Sequence, residues 1–282
     1  MHKVIIVCVL FLLASCAIED AQPTREKQLT IAQNFMNAQQ KKLLQQMAKR
    51  RSIELTILDY SANSIRKAIQ QNPWAPGFDL IMLDGLYAQS KLTGLSFQYT
   101  EPNYAYIPIG ISYIPDSNLN VRYFNDLSTK YLWAAPENKA PSILNLHLAH
   151  AYRKRETNKK LDSSYKKLVR GLKNHKLSYD AYQLRNTILI STYASHLNVL
   201  KKAVKKREFI FGVHEPNQLF VDYMSLSIIS QTSQYTTAMR FVRALHQMRD
   251  HNQYYRNLFG LIGPKEVNGL PAPSTLIKYI EK

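Results

Sequence analysis

Residues 28–91 read QLTIAQNFMNAQQKKLLQQMAKRRSIELTILDYSANSIRKAIQQNPWAPGFDLIMLDGLYAQSK, and the order of apolar patterns in this stretch decides the fold. Gln28–Asn34 sets Leu29 and Ile31 between polar residues, the period-two pattern of a short strand. Ala38–Arg50 then gathers Leu43, Leu44 and Met47 on one helical face and turns Lys41, Lys42, Lys49 and Arg50 outward. Ile53–Leu58 is β-branched and strand-like. Ser61 or Asn63 caps a helix that runs through Ala68 and Ile69 and ends before Pro73. Phe78–Leu83 is a third strand, and Asp84-Gly85 is its turn into Leu86–Lys91. Parallel strands need a long crossover, so this β-α-β-α-β order predicts a mainly parallel sheet covered by helices. Open sheets of this kind bind ligands beyond the carboxyl ends of their strands. Those ends are Asn34-Phe35, Tyr60-Ser61-Asn63 and Asp84-Gly85.

Toward the C-terminus, Asn103–Pro115 is extended and too long for a single tight turn. Tyr131–Ala134, Thr187–Ile190 and Phe209–Val213 are strand candidates, and Val221–Ser230 alternates near a second extended stretch. Helices are predicted over Ser142–Tyr152, Ser163–Asn174, Tyr193–Lys206 and Gln234–Arg249, the first begun by Pro141 and Ser142. There is no internal repeat and no low-complexity tract.

Toward the N-terminus, His2 and Lys3 precede an uncharged apolar run, Val4–Leu13, which is too short for an ordinary spanning helix and has the length of a signal-peptide core. It ends in Leu13-Ala14-Ser15-Cys16, which resembles the lipobox of bacterial lipoproteins. That resemblance implies a signal peptide at 1–15, acylation of the Cys16 thiol, and a lipidated polar tether over 16–27. The other reading is a plain secretory signal in which Cys16 is incidental.

The 282 residues carry 37 Lys+Arg against 20 Asp+Glu, a formal charge of +17, and 45% are hydrophobic, which excludes extended disorder. The two cysteines, Cys8 and Cys16, provide neither a disulfide framework nor a cysteine-rich zinc site. Nucleic acid is the ordinary partner of so basic a chain, but export and lipidation would remove it. The basic runs Arg153–Lys160 and Lys201–Arg207 are then a solvated face or an attraction to anionic lipid. There is no GxSxG, HExxH or P-loop, and His147 and His150 read as a helix-surface pair, so an enzyme is not expected.

Four segments, in order, carry a family likeness: Leu29–Asn34, Phe78–Leu86 (FDLIMLDGL), Ile190–Leu197 (ISTYASHL), and Phe211–Ser230 followed by Thr236–Phe259. Over roughly Gln28–Lys265 they resemble the type 2 periplasmic solute-binding proteins, in particular the ferric-iron-binding branch of the family-1 extracellular solute-binding proteins. The resemblance implies an α/β, two-lobed type 2 periplasmic-binding-protein fold, with mixed sheets flanked by helices and joined by extended crossover strands. Residues 28–105 and 222–282 would form one lobe and 106–221 the other, with crossovers at Tyr106–Pro115 and Asn217–Tyr223. It also implies a monomer, lipid-anchored in the cell envelope, that captures a small molecule or ion for the permease of an ABC importer. The alternatives are a ferric-iron-binding member of the same family, a sensor or interaction lipoprotein with a degenerate site, and an envelope hydrolase.

The residues expected at such a site are Asn34, Phe35, Ser61, Asn63, Asp84, Ser142, Tyr193, His196 and Tyr223. In the resemblance Tyr193 stands in the run of tyrosines that ligate iron, with Ala194 and Ser195 replacing its neighbours and His196 one helical turn on. One phenol, one imidazole and neutral amides make a poor donor set for Fe³⁺, which prefers charged oxygen, so no resident cofactor is expected and ferric iron is at most a ligand. Helix N-termini near Asn63 and Ser142 favour anions. Eighteen tyrosines suit an organic or heterocyclic solute. Asp84 is either a turn residue capping the next helix or a partner for a cationic ligand.

Overall fold

The computed structural model describes residues 27–114, 133–134, 188–197, 206–211, 213–214, 218–262, 270–278 and 280. The expected helices over 142–152 and 163–174, the basic run 153–160, Ser142, Cys16 and the whole leader lie outside the described residues.

The alternation read from residues 28–91 is present as β1 (Lys27–Gln33), α1 (Ala38–Lys49), β2 (Ile53–Asp59), α2 (Ala62–Gln71), β3 (Leu80–Asp84) and α3 (Leu86–Ser90). β1 lies between the other two strands and is parallel to both, with Gln33 opposite Asp59 on one side and Met82 on the other. α1 starts in a capping box: the Asn37 side chain accepts from the amides of Gln39 and Gln40, and Gln40 accepts from the Asn37 amide. Ser61, not Asn63, caps α2, because its hydroxyl accepts from the Ser64 amide at 3.1 Å while Asn63 already lies within the first turn.

The next strands are β4 (Phe97–Tyr113), β5 (Trp133–Ala134), β6 (Ile188–Thr192), β7 (Glu208–Phe211), β8 (Val213–His214), β9 (Gln218–Leu219) and β10 (Val221–Ile229). They are followed by α4 (Tyr235–His251), α5 (Gln253–Phe259) and α6 (Pro273–Ile277). The helix expected over 193–206 is described only at its start, Tyr193–Ser195, and the strand expected at 209–213 is divided between β7 and a β8–β9 hairpin. Among the described residues no helix is long and apolar enough to cross a membrane.

Alternate residues of β1 and β3 serve opposite layers, as period-two geometry requires. On one face Leu29, Ile31, Leu80 and Met82 pack with Leu44 and Met47 of α1 and with Phe241, Leu245 and Tyr255 of α4 and α5. On the other face Ala32, Ile81 and Leu83 pack with Ile65 and Ile69 of α2 and Ala88 of α3.

β10 enters this sheet antiparallel between β3 and β4, giving the order β2-β1-β3-β10-β4, and all nine of its residues are buried. β4 begins six residues before the expected Asn103. Its register slips where Pro102 and Asn103 fall between the pairs Leu226–Glu101 and Met224–Ala105. A proline has no N–H to give a ladder, so it sits at the bulge and makes the first part of the strand look like loop in the sequence. β4 then changes partners. Through Pro108 it pairs with β10, and from Ile109 to Tyr113 it lies between β6 and β7. At the exchange the Ile109 amide donates to the Phe220 carbonyl at 2.8 Å, which joins the two expected crossover stretches side by side.

Candidate functional site

The carboxyl ends of β1 and β3 form the point where successive connections leave in opposite directions, since β1 leads to β2 on one side and β2 crosses back to β3 on the other. Gln33, buried at the end of β1, shapes the loop that follows. Its carbonyl oxygen accepts from the amides of Phe35 and Met36 at 2.6 and 2.5 Å, and its amide group donates to the Asp59 carboxylate. Asn34 then reaches across to β3, where its Oδ1 accepts from the Asp84 amide at 2.9 Å and its Nδ2 donates to the Asp84 carbonyl at 3.2 Å. Two candidate residues are therefore brought together, with Asn34 acting as a clip between strand ends. Asn34→Ala removes both bonds, and a loss of about 2 kcal/mol in unfolding free energy is expected by urea titration.

The turn after Asp84 is held from β10. Gly85 has φ +98° and ψ 142°, and the Leu86 amide donates to Oδ1 of buried Asp222 at 2.9 Å. A Cβ at Gly85 would stand 3.1 Å from Asp222 Oδ2, so the turn needs glycine for both backbone angle and close approach. Tyr223 also ties β10 to this turn, because its carbonyl accepts from the Gly85 amide at 3.0 Å and from Gln89 Nε2 at 2.8 Å. Its ring is buried edge-on to Tyr106, and its hydroxyl donates to the Pro271 carbonyl at 2.7 Å. Burial pushes that phenol above its ordinary range. Tyr223, expected at the ligand, is thus placed within the packing.

At α2, Ser61 and Ser64 share a hydroxyl–hydroxyl contact of 2.8 Å, and Asn63 is exposed beside them. Tyr60, 38% exposed, meets Phe78 edge-on at 6.0 Å.

The remaining candidates follow β6. Tyr193 is half-buried, its ring parallel to His196 at 6.2 Å and tilted against Phe209 at 5.2 Å. His196 is 3% exposed and its Nδ1 is 3.0 Å from Ser112 Oγ on β4. This differs from an imidazole turned outward to a ligand: the side chain is enclosed and its near nitrogen is engaged. Ser112 also accepts, through its carbonyl, from buried Arg207 at 2.9 Å, and burial pulls that guanidinium down to about 10. Among the described residues no three or more His, Cys, Asp or Glu side chains are grouped so as to hold a metal.

Residues 259–260 join the two sets. Phe259 meets Phe35 edge-on at 6.2 Å, and Gly260 lies directly against the backbone of Ala194. The loop after β1 and the turn carrying Tyr193 therefore flank the same two residues. Gln33, Asp222, Phe259 and Gly260 were not among the residues expected from sequence. The signal for Gly260 was there, since a glycine closing an amphipathic helix is the usual left-handed C-terminal stop.

No protein-family model and no curated protein sequence matches this chain. Solved structures do. The apo ferric ion-binding protein A of Pasteurella haemolytica aligns over 90% of this chain and 95% of its own, with a TM-score of 0.63 and 11% identity. The Trichodesmium FutA protein in complex with iron and citrate aligns over 88% and 89%, at 0.61 and 12%. The Bordetella ferric binding protein aligns over 90% and 96%, at 0.61 and 11%. At such identities the likeness shows the fold: this chain has the two-lobed α/β architecture of the type 2 periplasmic binding proteins, which the resemblance implied.

Proposed function

We propose that this protein is an extracytoplasmic solute-binding protein, held to a membrane through lipid on Cys16, that captures a small solute between its lobes for an ABC-type importer. The observation that carries this reading is the partner exchange of β4 at Pro108–Ile109, beside Phe220–Val221. The proposed division into 28–105 with 222–282 and 106–221 would be joined near this exchange, where β4 passes from β10 to β6 and β7. Ligand would favour the closed arrangement because only there do both lobes touch it. In that role no bond is made or broken by the protein, and Asn63, Asp84 and Tyr193 are the residues proposed to meet the solute, with Phe35 and Ser61 shaping the walls.

The proposed solute is organic, or a metal held inside an organic complex. Support comes from the donors at the described site, which are amides, hydroxyls, the single phenol of Tyr193 and the single carboxylate of Asp84. A bare Fe³⁺ would demand several charged oxygens. Ferric iron is kept as the second reading because two proteins of similar fold are the Bordetella ferric binding protein and the Trichodesmium FutA protein in complex with iron and citrate.

Native mass spectrometry of protein purified from its own host tests the proposal by showing a co-purifying small molecule. Thermal shift against that molecule, ferric citrate and free Fe³⁺ then separates the readings, since a ligand at about a hundred times its dissociation constant adds about 2.7 kcal/mol of stability. Tyr193→Ala is expected to weaken capture about tenfold or more while leaving the unliganded melting temperature within a few degrees. A chain that carries nothing from its host, and whose melting no metal, amine, vitamin or anion moves, is not a transport protein.

A further inference from the structure

The edge of the sheet opposite the candidate site carries a different chemistry. Lys27 opens β1 there, and its amide meets the Ser52 carbonyl at 3.4 Å, so the start of β1 stands beside the end of α1. Lys49 and Arg50 end α1 and are exposed, and Arg51 follows with its guanidinium on the Met47 carbonyl. The connection between α2 and β3 comes in from this side, because Asp79, the residue before β3, pairs with Thr30 at the middle of β1 and β3 then runs parallel to the carboxyl half of β1. In that connection Trp74 is 72% exposed, more than either other large hydrophobic side chain on the described surface. Among the described residues the acids at this edge are Asp79, engaged with the Thr30 amide and the Thr232 hydroxyl, and Glu54, engaged with Gln28.

We propose that this amino-end edge is a docking surface for an anionic phospholipid bilayer, with Trp74 entering the headgroup layer and Lys27, Lys49, Arg50 and Arg51 facing acidic lipid. An indole is amphipathic and partitions to that layer, and basic side chains near an anionic surface add attraction that salt screens. The route of the chain agrees with this. Cys16 is eleven residues before Lys27, a tether of at most about 40 Å, so a lipid there would bring this edge to the membrane first. Only that last argument rests on the lipidation proposed above. The carboxyl-end site would then point away from the bilayer while the protein is free of its permease.

The test uses the purified full chain mixed with vesicles of phosphatidylcholine alone or with about one-third phosphatidylglycerol. Tryptophan emission is read against acrylamide in the water and brominated acyl chains in the lipid, and Trp74→Phe separates the Trp74 signal from that of Trp133. On anionic vesicles Trp74 should become shielded from acrylamide and quenched by brominated lipid. On neutral vesicles, or in high salt, it should stay accessible. Lys49→Glu combined with Arg50→Glu should abolish the shielding, with a loss of about tenfold or more in the lipid-dependent signal. Both are exposed side chains, and circular dichroism confirms that the variant is folded. Equal acrylamide access on both vesicle types, or shielding that survives the charge reversal, overturns the proposal. Because the state of Cys16 is the same in every sample compared, the outcome does not depend on whether it is acylated, and solute binding is read separately on the same samples.

Discussion

Gly260→Ala is expected to lower the unfolding free energy by about 3–4 kcal/mol, the larger part from collision and the smaller from backbone strain. Gly260 ends α5 in the left-handed region, with φ +67° and ψ 38°. A Cβ there would stand 2.4 Å from the Cα and 2.6 Å from the amide nitrogen of Ala194. Both atoms are backbone, so no rotamer change relieves the contact, and either α5 or the turn carrying Tyr193 must move. Gly94→Ala is the matched control: its φ is +83° but nothing lies within 4 Å of the added carbon. It isolates the backbone term, about 1 kcal/mol. Thermal unfolding of the two variants reads the difference, which for a chain of this size corresponds to roughly 5–10 °C. Equal melting temperatures for the two would mean that the Gly260–Ala194 contact is absent in solution.

Asp222→Ala is expected to cost about 3–5 kcal/mol, because it strands two buried donors together. Asp222 Oδ1 accepts from the Leu86 amide at 2.9 Å and from its own neighbour's amide, Tyr223, at 2.8 Å. The side chain is 2% exposed, so water does not replace the lost acceptor without entering the core. Asp222→Asn keeps a carbonyl oxygen in the same place, and is expected to lose less than half as much. Urea unfolding of both variants checks the order. An alanine variant as stable as the asparagine one would show that the Asp84-Gly85 turn holds its shape without β10. Near-ultraviolet circular dichroism should follow the same ranking, since Tyr223 is bonded to this turn through its carbonyl.

The parallel core was legible because its information is local. Leu29 and Ile31, the Ile53–Leu58 run and the Phe78–Leu83 run each state their period within a few residues, and the structure moves their boundaries only slightly. A cap at Ser61 or Asn63 was likewise readable from its place just before a helical pattern, and the structure assigns it to Ser61. What escaped depends on distant partners. The extended stretch expected from Asn103 omits Phe97–Pro102, and only pairing with β10 shows that Pro102 sits at a bulge inside a longer strand. Asp222 acts on a residue 136 positions away, although a single carboxylate inside an apolar strand does signal that donors await it.

The strand-end rule identified Asn34 and Asp84 as neighbours, but not that Asn34 would spend its amide on the Asp84 backbone. Tyr223 and His196 are polar residues in a suggestive order whose hydrogen bonds turn out to be internal, to Pro271 and Ser112. Composition and spacing do not distinguish a hydroxyl or imidazole that serves the protein from one left for a ligand.

The central position of β10 also sets a timetable for synthesis. The strand on either side of it is complete by residue 113, yet the piece that fills the gap ends at Ile229. Until the ribosome has added it, β3 and β4 each present an unsatisfied margin, and the chain must pass through more than a hundred residues between the end of β4 and the start of β10. The nascent chain is therefore kept from finishing its first sheet early, and a chaperone that shields bare strand margins would have its greatest effect on yield during that interval.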